Sequence, residues 1–480
     1  LVAAARLEGE GRGRKNTVDI REVRICTASA ARKTGDADKL DDDGIRTSVM
    51  QDAKTMLSRT VAFVLLGLSC VTAFAQADYI SDEDLYHVGL AKSWQLQLGL
   101  GCGQCLVDAF LVDDQLYFAT NDGYVFAIDA VTGASRWLRQ ITAEGYRIRR
   151  PAQAGERTIF ATPSTVTQVN KITGEGISQM ALRFPAGTGP VSDGERIFLG
   201  GVNRRLYAFD VFDPVHSWRV TANGAITGAP VVYKRPGTNA MNVYFASIDG
   251  TVYSATAYNK ALCWVARTYG PLDSDLAVND LGVFVPCLDQ SLYLFDLPFG
   301  ELKWRVRLSS PLREPPVLTG GAAYQYSADD GLVAIDTVSI AADERINWRL
   351  PNGRMLLTTD ELRVFVLSTE GNILTVDVHT GEVFHEIATP GMTLGVPNPG
   401  RATIVVASPD GRVFCARLRG MPMVRREDLR EALTTVPPEA KAPTAEAAPP
   451  PPDVTGVPPP SPGEPPIGGR SKVSRGYGRP

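Results

Sequence analysis

The sequence predicts an all-β chain, an eight-bladed β-propeller of four-stranded blades about 40 residues long. Three observations predict it. A short motif returns at a near-constant interval, the tryptophans keep step with it, and tight-turn dipeptides punctuate most copies.

The first copy is the fullest. Residues 116–137 read LYFATNDGYVFAIDAVTGASRW, with the frame Ala127-x-Asp129-x-x-Thr132-Gly133-x-x-x-Trp137. The anchor position recurs as Asn170, Asp210, Thr256, Asp296, Asp336, Asp377 and Arg417, at intervals of 40 or 41 residues and once 46. Asp210 leads to Trp218, Thr256 to Trp264, Asp296 to Trp304, and Asp336 to Trp348 after a short insertion. Of the six tryptophans in the chain, five fall in this frame, so the repeat is not an accident of composition. In five copies, β-rich runs such as Leu116–Ala119 and Tyr124–Ile128 flank an Asp-Gly or Glu-Gly pair. That pair signals a tight hairpin, because the turn needs positive φ. A second turn, Thr-Gly, leads into the tryptophan strand, and a Pro-Val run opens the next copy.

The eighth copy ends before it supplies a tryptophan strand. The sixth tryptophan, Trp94 in SWQLQL, precedes the first copy and supplies that strand from the other end of the chain. Such an arrangement closes the ring and leaves no bare sheet edge between first and last blades. The propeller is expected over residues 85–420.

The motif A-x-D-x-x-T-G-x-x-x-W resembles the repeat of the pyrroloquinoline-quinone (PQQ)-like propellers, and it covers nearly all of the expected globular part. That resemblance implies the fold. For function it implies two classes, quinoprotein oxidoreductases that use PQQ with calcium, and non-catalytic BamB-like assembly factors of the outer membrane, since one fold serves both. Trp94, Asp129, Trp137, Asp210, Trp218, Trp264, Asp296, Trp304, Asp336, Trp348 and Asp377 then read as scaffold. The indoles would fill volume between blades and the carboxylates would hydrogen-bond within turns.

The residues favour the non-catalytic class. The resembling dehydrogenases carry a disulfide between adjacent cysteines, and no Cys-Cys pair occurs here. The copies are close to minimal length, which leaves little insertion for a substrate pocket. Asp273 and Asp275 are the one carboxylate pair near the start of an inner strand, a poor cation site by themselves. His87, His216, His379 and His385 lack metal-ligand spacing. No catalytic residue and no cofactor is assigned. The alternatives are a PQQ-dependent oxidoreductase-like protein and a small-ligand sensor that uses the central channel.

Two further stretches stand out. Residues 101–105 read GCGQC, with Cys102 and Cys105 in a C-x-x-C just before the innermost strand of copy one. No His follows Cys105 and no second C-x-x-C exists, so haem attachment and a zinc ribbon are unsupported. A local disulfide between Cys102 and Cys105, or two thiols near Cys415, remain open, at one mouth of the central channel. The same mouth is expected to carry basic groups. Arg147, Arg149 and Arg150 precede the inner strand of copy two, and Arg313 precedes that of copy five. They could hold an anionic or acidic-peptide partner, or form a solvated face.

The ends differ from the middle. Residues 1–55 read as a disordered or misassigned upstream extension. MLSRTVAFVLLGLSCVTAFAQA, from Met56, has a basic start, a short apolar run and an Ala73-Phe74-Ala75 cleavage pattern, the marks of a secretory signal over residues 56–75. Cys70 would be the acylated residue if the segment served as a lipoprotein signal. Residues 421–480 begin with a short helical stretch, VRREDLREALTT. A proline-rich run with a basic end follows, a linker or spacer that could reach a membrane surface or a partner. The net charge of −4 carries no electrostatic footprint of nucleic-acid binding. The expected product is a monomeric, exported protein of the periplasm or envelope, with a protein or peptide partner there.

Overall fold

The computed structural model describes residues 78–420, apart from 144, 214–216, 236 and 339–344. The signal segment with Cys70, the upstream extension, His216 and the proline-rich tail lie outside the described residues. Between Leu90 and Leu418 the chain forms eight four-stranded antiparallel sheets. Seven are built from consecutive strands. Blade one, for example, takes Leu106–Val112, Gln115–Thr120, Tyr124–Asp129 and Ser135–Gln140 from centre to rim.

Blade eight is assembled from both ends of the ring. Leu394–Val396, Thr403–Ala407 and Arg412–Leu418 form its inner three strands, and Leu90–Gln97 is the outer one. The pairing is antiparallel, with Leu90 opposite Leu418 and Trp94 opposite Cys415. The innermost strands of blades eight and one are neighbours, so the circle is complete. A one-and-a-half-turn helix, Asp82–His87, leads into the closing strand. Ser81 caps it by accepting from the Asp84 N–H, and Leu85 anchors it in the core.

The core lies between blades. The second strand of each blade is covered on both faces, so it reads as a continuous apolar run rather than an alternating one. Leu116, Tyr117, Phe118 and Ala119 in blade one and Val243, Tyr244, Phe245 and Ala246 in blade four are all buried. At the closure, Leu116, Phe118 and Phe126 of blade one pack with Val405, Val413 and Cys415 of blade eight.

One contact repeats around the ring. The outer-strand tryptophan of a blade lies on the Asp-x-x-Thr-Gly turn of the next. Trp137 donates its indole N–H to the Lys171 carbonyl at 3.1 Å, Trp264 to Leu297 at 2.8 Å, and Trp348 to Val378 at 3.0 Å. Trp94 donates to Ala130 at 3.3 Å, so the ring closes with the contact made at those three junctions, while the indole N–H of Trp304 in blade five has no partner among the described residues. Within the turn, Asp129 accepts from the N–H groups of Val131 and Thr132, and Asp377 from those of His379 and Thr380. Asn170 and Asp210 do the same, Asp296 accepts from Phe299 and Glu301, and Asp336 accepts from Val338.

Where the motif decays, the contact changes. Blade four has Thr256 at the anchor and Lys260, at φ 62°, ahead of its outer strand. Trp218, which faces that turn from blade three, has no partner for its indole N–H. Blade two has Ser178 in the tryptophan position, opposite Gln168. There Gln168 reaches over instead, donating to the Val211 carbonyl at 3.0 Å, while Arg157 holds the Gln168 amide oxygen at 2.8 Å and covers the Phe212 ring.

Candidate functional site

The innermost strands and the turns that precede them enclose a central channel. All eight blades line one end of it, a cavity of about 780 Å³. A second cavity of about 610 Å³ continues from it past Arg150, Asp275, Glu314 and Arg354. From blade one the wider end takes Val107–Phe110.

The arginines expected at this mouth are there. Arg147, Arg149 and Arg150 precede the short innermost strand Ala152–Ala154 of blade two and line the cavity. Arg313 lines it too, but its place in the ring corrects the reading from sequence. The strand that follows it, Val317–Leu318, belongs to blade six, not to copy five.

The mouth is not simply basic. Arg147 makes a two-pronged bond to Asp108, both arms 2.8 Å. Arg354 grips Glu314 in the same way at 2.6 Å on each arm. Arg313 lies 3.9 Å from Asp273. Each pair joins neighbouring blades at matching positions, 39 or 40 residues apart. The forked geometry of the first two fixes orientation, while exposure limits the energy of all three. The bond to Asp108 raises the Arg147 pKa, and Glu314 raises that of Arg354.

Two cations remain without a carboxylate within ion-pair reach among the described residues, Arg149 and Arg150. Arg150 donates to the Leu111 carbonyl at 2.9 Å. Water reaches it, yet protein surrounds it on the channel wall, and this desolvation lowers its pKa. Asp273 and Asp275 face different partners. Asp275 accepts from the Ala229 N–H at 2.6 Å, while Asp273 faces Arg313. Reading the sequence missed Asp108, Glu314 and Arg354. The signal for them was the repeat itself, which sets an acid in one copy opposite a base in the next.

The GCGQC turn lies one step outside the channel, because the lining of blade one begins at Val107. Cys102 and Cys105 stand as free thiols, the first exposed and the second half-buried. Hydrogen bonds hold the turn. Gln104 donates through its backbone to Gly101 at 3.1 Å, and Asn121 ties down both the Cys105 N–H at 3.0 Å and the Gly103 carbonyl at 3.1 Å. Cys415 is buried under blade one, and burial pushes its thiol up to about 12. Of the histidines, His87 and His385 approach each other, with ring centres 6.3 Å apart, His385 occupying the tryptophan position of blade seven. Among the described residues no three His, Cys, Asp or Glu side chains gather into a metal-binding group.

A family model described as "Outer membrane protein assembly factor BamB" matches residues 162–271 and 248–352. Among solved structures, BamB from Moraxella catarrhalis superposes with a TM-score of 0.55 at 15% identity, over 69% of this chain and 99% of that one. The computationally designed Ika8 protein superposes with a TM-score of 0.52 at 12% identity, over 65% of this chain and 96% of that one. No curated protein matches the sequence. At these identities the structural likeness concerns the fold. The chain is an eight-bladed β-propeller closed by its N-terminal strand, and its repeats over residues 162–352 match the family model of the assembly factor BamB.

Proposed function

We propose that the chain is an exported, non-catalytic propeller that acts as a protein-interaction scaffold in the cell envelope, in the manner of BamB-like assembly factors. The observation that carries this reading is the channel mouth. There Arg149 and Arg150 are left without carboxylates in a ring where Arg147 and Arg354 are forked onto acids of the neighbouring blade and Arg313 faces Asp273. Such a mouth suits an acidic loop or peptide of a protein partner, which the two guanidinium groups can fork onto. The repeat match to an assembly-factor family and the signal pattern from Met56 support the envelope setting.

A melting experiment separates this reading from the quinoprotein one. A ligand that binds only the folded state must raise the melting temperature. The full chain is expected to melt at the same temperature with and without PQQ and Ca²⁺. A rise of several degrees with the two together would overturn the non-catalytic reading.

A further inference from the structure

The outer strands of a propeller present unpaired backbone N–H and C=O groups at the rim. Proteins usually guard such edges with charged side chains. Here seven of the eight outer strands carry at least one. Examples are Arg136 and Arg139 in blade one, Lys303, Arg305 and Arg307 in blade five, and Lys92 in the closing strand. Blade two does not. Its outer strand, Gly176–Ala181, reads GISQMA without a charge. It is also the one outer strand with no buried residue, because Ser178 stands where other blades insert tryptophan and Gln168 makes the inter-blade bond in its place.

Beside this edge lies a recess of about 420 Å³ between blades one and two, lined among others by Gln140, Thr142, Tyr146, Thr165 and Gln179. Every described residue lining it is uncharged. Gln179 belongs to both features, so edge and recess are continuous. Ile177, 42% exposed, sits two residues away, at the β-bulge that interrupts this strand's pairing with its neighbour.

We infer that the outer strand of blade two is a docking edge, to which an extended, uncharged segment of a partner protein adds as a fifth antiparallel strand, with a neutral side chain in the adjoining recess. An unpaired strand edge is satisfied along its length only by another strand, and the side chains beside it then set the specificity. A second copy of this chain fits less well. Six residues extend about 20 Å, and two rigid propellers meeting along that line alone bury far less than the roughly 1,000 Å² a stable interface needs. An extended segment can cover the edge and enter the recess as well. This inference rests on the scaffold reading above and adds the place and the kind of contact.

The test uses the full-length chain in its native cells. Photo-crosslinking benzoylphenylalanine is placed at Ile177 or at Gln179, and for comparison at Leu302 on the outer strand of blade five, which is 50% exposed. Adducts from positions 177 and 179 are expected to map close together on one segment of one partner, with no adduct to that segment from position 302. The double substitution Ile177→Lys and Gln179→Lys, both at exposed sites, is expected to lower recovery of that partner roughly tenfold without changing the melting temperature. Undiminished recovery, or adducts scattered over unrelated segments, would overturn the docking edge and leave the scaffold reading standing. Adducts to a second copy of this chain would replace the partner strand with a homodimer and overturn the proposal. If the unsubstituted chain recovers no partner, the scaffold reading fails and the edge proposal with it.

Discussion

The indole of Trp137 lies across the backbone of Gly174 in the next blade. A Cβ built on Gly174 would sit 2.6 Å from Trp137 Cγ, and Gly174 has φ +72°. Glycine is needed there twice over, for the left-handed turn and for the close approach. Gly174→Ala is expected to destabilise the chain by about 1–3 kcal/mol, and Trp137→Ala by about 3–5 kcal/mol. Denaturant unfolding of the two variants checks both.

Trp218 provides an internal contrast. It fills the same position in blade three, but its N–H has no acceptor. Replacing an indole with a phenyl ring removes the hydrogen bond in one case and nothing polar in the other. Trp137→Phe should therefore cost about 1 kcal/mol more than Trp218→Phe. Equal costs would show that the indole bond to Lys171 contributes little.

Stability should fall at both ends of the pH scale. Burial pushes the Cys415 thiol and the Tyr117 and Tyr324 hydroxyls up to about 12. In the unfolded chain these groups lose their protons near pH 8.5–10. The folded state therefore binds more protons above about pH 9, and stability should decline from there toward pH 12. For Asp129, burial acts to raise the pKa, but the Thr132 N–H and Arg136 outweigh it and hold the carboxyl below its usual value. Its contribution is present above the ordinary Asp pKa of about 4 and is lost as pH falls through the lower, folded value. Melting temperatures across pH 2–11 (approximate limits set by these groups) test the two limbs. Asp129→Asn should flatten the acid limb.

At the channel mouth, binding and stability should separate. The Arg147 side chain is 77% exposed, so removing its pair with Asp108 by Arg147→Ala should change stability by less than about 1 kcal/mol. Charge reversal at Arg149 and Arg150 should also leave the fold intact but weaken partner recovery. The loss should be larger at low ionic strength, where the steering field is least screened. Circular dichroism and co-purification at two salt concentrations distinguish the effects.

Much of this fold can be read in the sequence because local chemistry fixes it. The Asp129 and Asp377 turns are specified by carboxylates that bond their own backbone two and three residues on, and that pattern survives as a string of letters. The closing role of Trp94 is readable for the same reason. The contact between blades two and three is not. Nothing in GISQMA says that Gln168, one strand inward, takes over the bond a tryptophan makes elsewhere. Arg147, Arg149 and Arg150 are visible as a basic cluster, but their division into paired and unpaired depends on acids one repeat away. Only the ring brings Asp108 to Arg147 and Glu314 to Arg354.

The most direct measurement is an in-cell crosslinking pull-down of the tagged full chain, with partners identified by mass spectrometry and the channel-mouth variant Arg149→Glu with Arg150→Glu run beside it. An envelope scaffold should recover outer-membrane barrel or assembly proteins with the unsubstituted chain and markedly less of them with the variant. A preparation free of envelope proteins, from cells in which the chain is abundant, would contradict the scaffold function.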